Sequence, residues 1–413
     1  MNNLYKNSIY LILLAFSASF ALLPSYGKLS PDLFIYMLIL IEIVALIFLS
    51  VERKRFFKDI KNILFKDRVF LSLLLLNVLM YLSVFVAVSK ETTISHSIRF
   101  SMYLFIFYLI GYKLNTKQLK NIIITFLSSS IIVSLITLCQ VIYINLLGNN
   151  IDMDHRIAST LENPNNLGTY SILIIFTFIT LFIKSKNKKL KILSFVSSLL
   201  LLFNIIVSQS RNALIALVAG VLILTLFYNK RYVLFSIILP IILFIIPQTR
   251  VRLLDIFDMT QNSSRIKIWQ LTEIMIKNKN ELFGIGYENY SIEYPRYVES
   301  NMTYFVRESL KPLHPHNALL KFQVELGIGG TILFLLFIFI SIWIFYKFTT
   351  SQINNKYNFI YIGFFTGYIA FQLMNILDCY YGPSKIMYSL FIILAVLNNN
   401  ALRQKITWYN SLL

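Results

Sequence analysis

Twelve apolar runs, each close to the length that crosses a bilayer, constrain this chain more than any other feature. A helix needs about 20 mostly apolar residues to span the hydrocarbon core. The runs cover residues 8 to 24, 32 to 51, 69 to 88, 99 to 112, 122 to 147, 169 to 183, 192 to 208, 213 to 228, 232 to 247, 327 to 346, 358 to 376 and 386 to 400. A backbone inside lipid must satisfy its own hydrogen bonds, so such runs become helices. The expected fold is an all-α polytopic membrane protein of about 12 transmembrane helices. It forms a single integral domain over residues 1–413, with one large extracytoplasmic loop containing short helices at 248–328, between the ninth and tenth spans.

Orientation follows from lysine and arginine, which the cytoplasmic side retains. Segment 52 to 68 carries Arg53, Lys54, Arg55, Lys58, Lys61, Lys66 and Arg68; segment 184 to 191 carries Lys184, Lys186, Lys188, Lys189 and Lys191. With 113 to 121, 229 to 231, 347 to 357 and the two termini, alternate connections hold 22 of the 38 basic residues. Both termini are therefore expected in the cytoplasm. The net charge of +19 reads as this orientation signal together with attraction to anionic lipid, and no nucleic-acid partner is expected. The first run continues into Pro24 without a cleavage pattern, so it is expected to stay as an anchor. Cys139 and Cys379 give no reason to pair. No repeat relates the two halves, which weakens a transporter reading, although Glu42 in the second span is the kind of buried carboxylate a proton-coupled carrier uses. A carboxylate paired within the bundle is the alternative for Glu42.

All four histidines, His96, His155, His314 and His316, fall on the outer side of this topology. Segment 148 to 168 is dense in turn formers and hydrogen-bonding side chains, including Arg156, Asn165 and Asn166, and suits a sugar site. Arg211, in Ser208-Gln209-Ser210-Arg211, sits at a membrane boundary, where the alternative is a snorkelling interfacial arginine. In the long loop, Ser263 and Ser264 can cap a helix whose stripe is Ile268, Leu271 and Met275, with Arg265, Trp269 and Glu273 on a neighbouring face. That pattern suits an interfacial helix or a packed one, ending in a turn at Gly284-Ile285-Gly286.

His314-Pro315-His316-Asn317 leads into an apolar series from Ala318. Proline favours the first helical position, which places His316 and Asn317 in a first helical turn. There the dipole favours the neutral imidazole that a general base must be. Two other uses remain for the pair: a structural capping role, and metal ligation, for which the sequence offers no third ligand at a suitable spacing.

Taken in order, Arg156 with Asn163-Pro164-Asn165-Asn166-Leu167-Gly168, Ser208-Gln209-Ser210-Arg211, Arg265 with Trp269 and Gly284-Ile285-Gly286, and His314-Pro315-His316-Asn317 with Glu325-Leu326-Gly327 resemble the O-antigen ligase and O-antigen polymerase superfamily. The resemblance covers residues 150 to 330; the first 150 match only in hydropathy. It implies an inverting glycosyltransferase in the bacterial cytoplasmic membrane, working on the extracytoplasmic face. The donor would be an undecaprenyl-pyrophosphate-linked glycan, and the acceptor another glycan or a lipid. His316 would be the base, and Arg211 and Arg265 would hold the pyrophosphate with their planar forks. Arg156, Asn165, Asn166, His314 and Asn317 would contact substrate or support the loops. No cofactor and no metal are expected, because pyrophosphate is already an activated leaving group. Membrane lipids, a chain-length regulator and a flippase are the expected partners. The Asn-Pro-Asn-Asn run looks more like those of O-antigen and capsule polymerases than of core ligases, so polymerisation of repeat units is the first expectation. A ligase transferring to lipid A core is the second, and a transporter of lipid-linked oligosaccharide is the reading from another class.

Overall fold

The caps in the sequence set where this chain turns. Asp67, Ser89, Asn115, Asn163 and Asn187 each accept a hydrogen bond from a backbone N–H of the helix that follows, and Gln118 reciprocates for Asn115. A side-chain oxygen at this position satisfies donors that a helix start leaves unpaired. The computed structural model describes residues 2–25, 27, 30–148, 156–228, 233–255, 259–278, 282–305, 312–351 and 359–403, and among these there is no strand. The helices are α1 (Asn2–Ser19), α2 (Asp32–Phe48), α3 (Ser50–Phe65), α4 (Arg68–Leu82), α5 (Lys90–Tyr108), α6 (Thr116–Leu146), α7 (Pro164–Lys184) and α8 (Lys188–Ser208). They continue as α9 (Arg211–Tyr228), α10 (Val233–Ile245), α11 (Pro247–Leu254), α12 (Met259–Asn278), α13 (Tyr290–Ser300), α14 (Ala318–Ser351), α15 (Phe359–Leu377) and α16 (Ser384–Arg403).

Each of the twelve expected runs falls on one of these helices. Among the described residues seven helices are long and apolar enough to cross a membrane, or eight if α2 and α3, bent by 111° at their junction, form one span. Helices α9, α10 and α16 are apolar but shorter. Segment 52 to 68, expected as a connection, is mostly helix α3, whose Glu52, Asp59 and Ile63 face inward. At the centre stands α7, buried continuously from Leu167 to Phe178, as a helix apolar on every side must be. Gly363 and Gly367 of α15 let its backbone approach Thr177 and Leu173 of α7, leaving no room for a Cβ. Small residues serve this close approach between membrane helices.

Helix α5, extended by the turn at Leu109–Lys113, links the two ends of the bundle over about 36 Å. At one end Lys113 lies 2.8 Å from Glu42 and 3.3 Å from Glu52, and Tyr5 donates to Glu42. Glu42 is therefore paired inside the bundle. At the other end the Ser89 N–H donates to Asn289 Oδ1 at 2.6 Å, beside the polar segments from α12 to α14.

Helix α12 carries the expected stripe. Ile268, Leu271 and Met275 are buried with Ile285, Tyr290, Tyr294 and Val324 in a second, smaller core. The stripe faces protein, so α12 is the packed alternative. Ser263 and Ser264 lie inside α12, not at its start, and the helix ends at Asn278. The glycines beyond it do something else: Ile285 and Gly286 donate to the carbonyls of Val324 and Glu325. Gly284 and Gly327, both with positive φ, make that contact possible, because a Cβ at either would strike the opposite backbone. Gly327 also breaks α14 into two pieces.

Candidate active site

Asn317, not Pro315, starts the helix that follows the histidines. Its Oδ1 accepts from the Leu320 N–H at 3.1 Å, and its Nδ2 donates to the Ile376 carbonyl at 3.0 Å. Asparagine is a strong N-cap, and α14 begins at Ala318. His316 is consequently outside the helix, with φ +50°. The expected first-turn position does not hold, and the helix-dipole argument for His316 falls with it. Asn317 is a loop support.

What holds His316 is Asp378. Nδ1 of His316 lies 2.8 Å from Oδ1 of Asp378, the residue that follows α15. That carboxylate also accepts from the Cys379 N–H at 2.9 Å and the Tyr380 hydroxyl at 3.3 Å. Burial by itself would raise the Asp378 carboxyl, but the hydrogen bond from His316, the two imidazoles and Arg265 hold it well below the usual carboxylate range. An ionised acceptor at Nδ1 keeps the proton on that nitrogen and leaves the Nε2 lone pair for an incoming proton. His314 packs against its partner with ring centroids 4.8 Å apart, and its Nδ1 accepts from the His316 N–H at 3.2 Å. Burial, only partly opposed by Asp378, holds His314 down to about 4, so it is neutral at physiological pH. Trp269 of α12 donates from Nε1 to the Pro315 carbonyl at 2.8 Å, tying the histidine turn to the helix that carries Arg265.

The structure brings Arg211 and Arg265 together. They line a cavity of 270 Å³ with Asn212, Trp269 and Leu377, and Leu377 is the neighbour of Asp378. Arg211 opens α9, and its Nη1 donates to the Asp255 carbonyl at 3.0 Å. Arg156 lies behind: Nε and Nη2 donate to the Ser208 carbonyl at 3.0 and 2.8 Å, and Nη2 to Asn165 Oδ1 at 2.6 Å. Burial first, then the charges of Arg252 and Arg211, push Arg156 down to about 10, still protonated at neutral pH. Asn165 thus orients an arginine. Asn166 is farther from this chemistry and donates to the Leu161 carbonyl at 3.2 Å. Residues 149–155, including His155, lie outside the described residues.

Three charged residues of this neighbourhood were not picked out from the sequence. Asp378 carried one available signal, as an acid directly after a span on the side of the histidines. Arg252 joins the cationic group, with Nε donating to the Gln209 carbonyl at 3.0 Å and Nη1 3.1 Å from Asp255. Glu288 is paired with Lys321 of α14 at 2.5 Å, and its N–H donates to Glu325 at 3.0 Å; its carboxyl, which burial would raise, is held below the usual range by Lys321 first and then His96.

Asp378 also supplies the third metal-ligating group that the sequence did not offer. Donor atoms of His314, His316 and Asp378 all lie within 4.8 Å of one another, residue types that suit a zinc-like cation. In the arrangement seen, His316 and Asp378 are joined directly by a hydrogen bond.

Residues 196–335 match the O-antigen ligase family. The matched segment contains Arg211, Arg265, His314, His316 and Asn317, whereas Arg156 and Asp378 lie outside it. No curated protein matches the chain.

Proposed function

From the match of residues 196–335 to the O-antigen ligase family, we propose that the chain is a membrane glycosyltransferase that joins lipid-linked oligosaccharide repeat units into an O-antigen or capsular polysaccharide. The observation that carries this reading is the His316–Asp378 hydrogen bond beside a cavity flanked by Arg211 and Arg265. The donor is an undecaprenyl-pyrophosphate-linked glycan. Its pyrophosphate lies against the two guanidinium groups, with Arg156 and Arg252 adding positive field from behind.

The acceptor hydroxyl oxygen attacks the anomeric carbon of the donor sugar. Its proton passes to Nε2 of His316 as the bond from that carbon to the phosphate oxygen breaks, and the electron pair departs on the pyrophosphate. Asp378 stabilises the imidazolium so formed. One displacement inverts the carbon, and the arginines neutralise the leaving charge without a metal. The lysine-rich α3 and the 184–191 connection lie at the bundle end away from this site, which supports an extracytoplasmic active site in a bacterial cytoplasmic membrane with cytoplasmic termini and about twelve spans. A flippase delivering donor and a chain-length regulator fit this placement as partners.

The matched family is described as O-antigen ligase, and this favours a second reading: transfer of the same glycan to lipid A core. Reconstitution in liposomes separates the two. A ladder of longer glycans from lipid-linked donor alone is the expected result. Product formed only after adding lipid A core would make the protein a ligase. No covalent product in either condition would overturn both and leave transport of the lipid-linked oligosaccharide.

A further inference from the structure

The bundle end away from His316 holds a larger opening that the proposed reaction does not use. It is a cleft of 670 Å³ whose walls include Lys54, Arg55, Lys58, Lys66, Asp59 and Tyr112. Four cations face one carboxylate there, and the buried Asp59 is engaged by the Tyr108 hydroxyl at 3.2 Å. Arg55 is fixed in place, donating from Nη2 to the Tyr112 carbonyl at 2.8 Å. Lys54, Lys58 and Lys66 are exposed. A neighbouring cleft of 370 Å³ shares Arg55 and contains Lys6 and Lys113, but its cations already face Glu42 and Glu52. Of these two clefts the larger holds the excess positive charge, four cations against one carboxylate.

The apolar residues beside it decide what kind of anion fits. On α3, Val51, Lys54, Lys58 and Phe65 stand at i, i+3, i+7 and i+14 and so share one face. Val51 is 60% and Phe65 76% exposed. Helix α3 leaves α2, an apolar helix of 17 residues, at a bend of 111°. Lysines interleaved with exposed apolar side chains on a helix turned across the end of a span form an interfacial surface, not a pocket for a soluble metabolite. We propose that this cleft binds the phosphate headgroup of an anionic membrane phospholipid, with Val51 and Phe65 against its acyl chains.

The test is native mass spectrometry of the full-length protein, delipidated in neutral detergent and titrated with phosphatidylglycerol, phosphatidylcholine, glycerol 1-phosphate or inorganic phosphate. Phosphatidylglycerol is expected to bind in preference to phosphatidylcholine. Its binding should weaken about tenfold or more in the triple variant Lys54→Gln/Lys58→Gln/Lys66→Gln, since a basic residue near a membrane surface contributes about a factor of five. The triple variant Lys61→Gln/Lys117→Gln/Lys186→Gln, which removes the same charge outside the cleft, should bind like the unmodified protein. Phe65→Ser keeps every charge and should weaken the lipid but not inorganic phosphate. Equal affinity for the two phospholipids, equal loss in both triple variants, or glycerol 1-phosphate binding as tightly as the lipid would each overturn the proposal, the last by making the ligand a phosphate from solution.

Discussion

Replacing Asp378 by asparagine tests the proposed chemistry at its most specific point. The substitution keeps the side chain's shape, and Oδ1 can still accept from the Cys379 N–H, so the fold should lose about 1 kcal/mol. What disappears is the negative charge 2.8 Å from His316 Nδ1. A hydrogen bond to an ionised partner is worth about 1.5–3 kcal/mol, and each 1.36 kcal/mol is a factor of ten in rate, giving about 10- to 100-fold from orientation alone. Loss of the imidazolium's counter-charge adds to that, and in the serine-protease template the equivalent change costs about 10⁴ in kcat. His316 is 32% exposed at its side chain, so water screens part of the effect, and the expected loss is about 10²- to 10³-fold in kcat with KM for the donor little changed. The assay is the initial rate of glycan-ladder formation in liposomes at saturating donor, with a melting curve to show that the variant is folded. A folded Asp378→Asn protein working within about threefold of the original rate would refute the dyad.

Four further outcomes follow. His316→Ala should abolish transfer with membrane insertion intact, and Arg211→Lys or Arg265→Lys should each slow it at least about tenfold, because a point charge does not reproduce a bidentate fork; full activity removes that residue from the mechanism. Trp269→Phe deletes the bond to the Pro315 carbonyl and should lower stability by about 1 kcal/mol, with a fall in kcat that reports the loosened histidine turn. His314 has its pKa depressed by burial, so the folded state binds fewer protons than the unfolded one between 6.5 and about 4. Its contribution is complete above that window and falls away by up to about 3 kcal/mol as pH drops through it, and His314→Asn should flatten the acid side of a melting-temperature profile. Asp378, depressed as a carboxylate, keeps its contribution throughout that window. Chelators should leave transfer unchanged; a loss restored by zinc would instead assign His314, His316 and Asp378 to a metal site.

The length of the chain's apolar runs placed all twelve on helices, because lipid leaves a backbone few other choices, and polar caps mark where several of those helices begin. The sequence also singled out Arg211, Arg265 and His316 as candidates, since short polar motifs stand out in an apolar chain, and the buried stripe of α12 followed from residue spacing. Tertiary structure decided what those residues meet. Asp378 reaches His316 across 62 positions, Trp269 reaches Pro315 across 46, and the two arginines share a cavity although 54 positions separate them. No local pattern encodes such pairings, which arise from how α12, α14 and α15 pack. The same holds for Glu42: its partner Lys113 lies at the far end of another helix, and only folding shows that the carboxylate is paired within the bundle. The start of α14 was a local contest that the sequence left open, between proline's preference for a first turn and asparagine's for the cap; the asparagine prevailed because its side chain could bond both Leu320 and the end of α15.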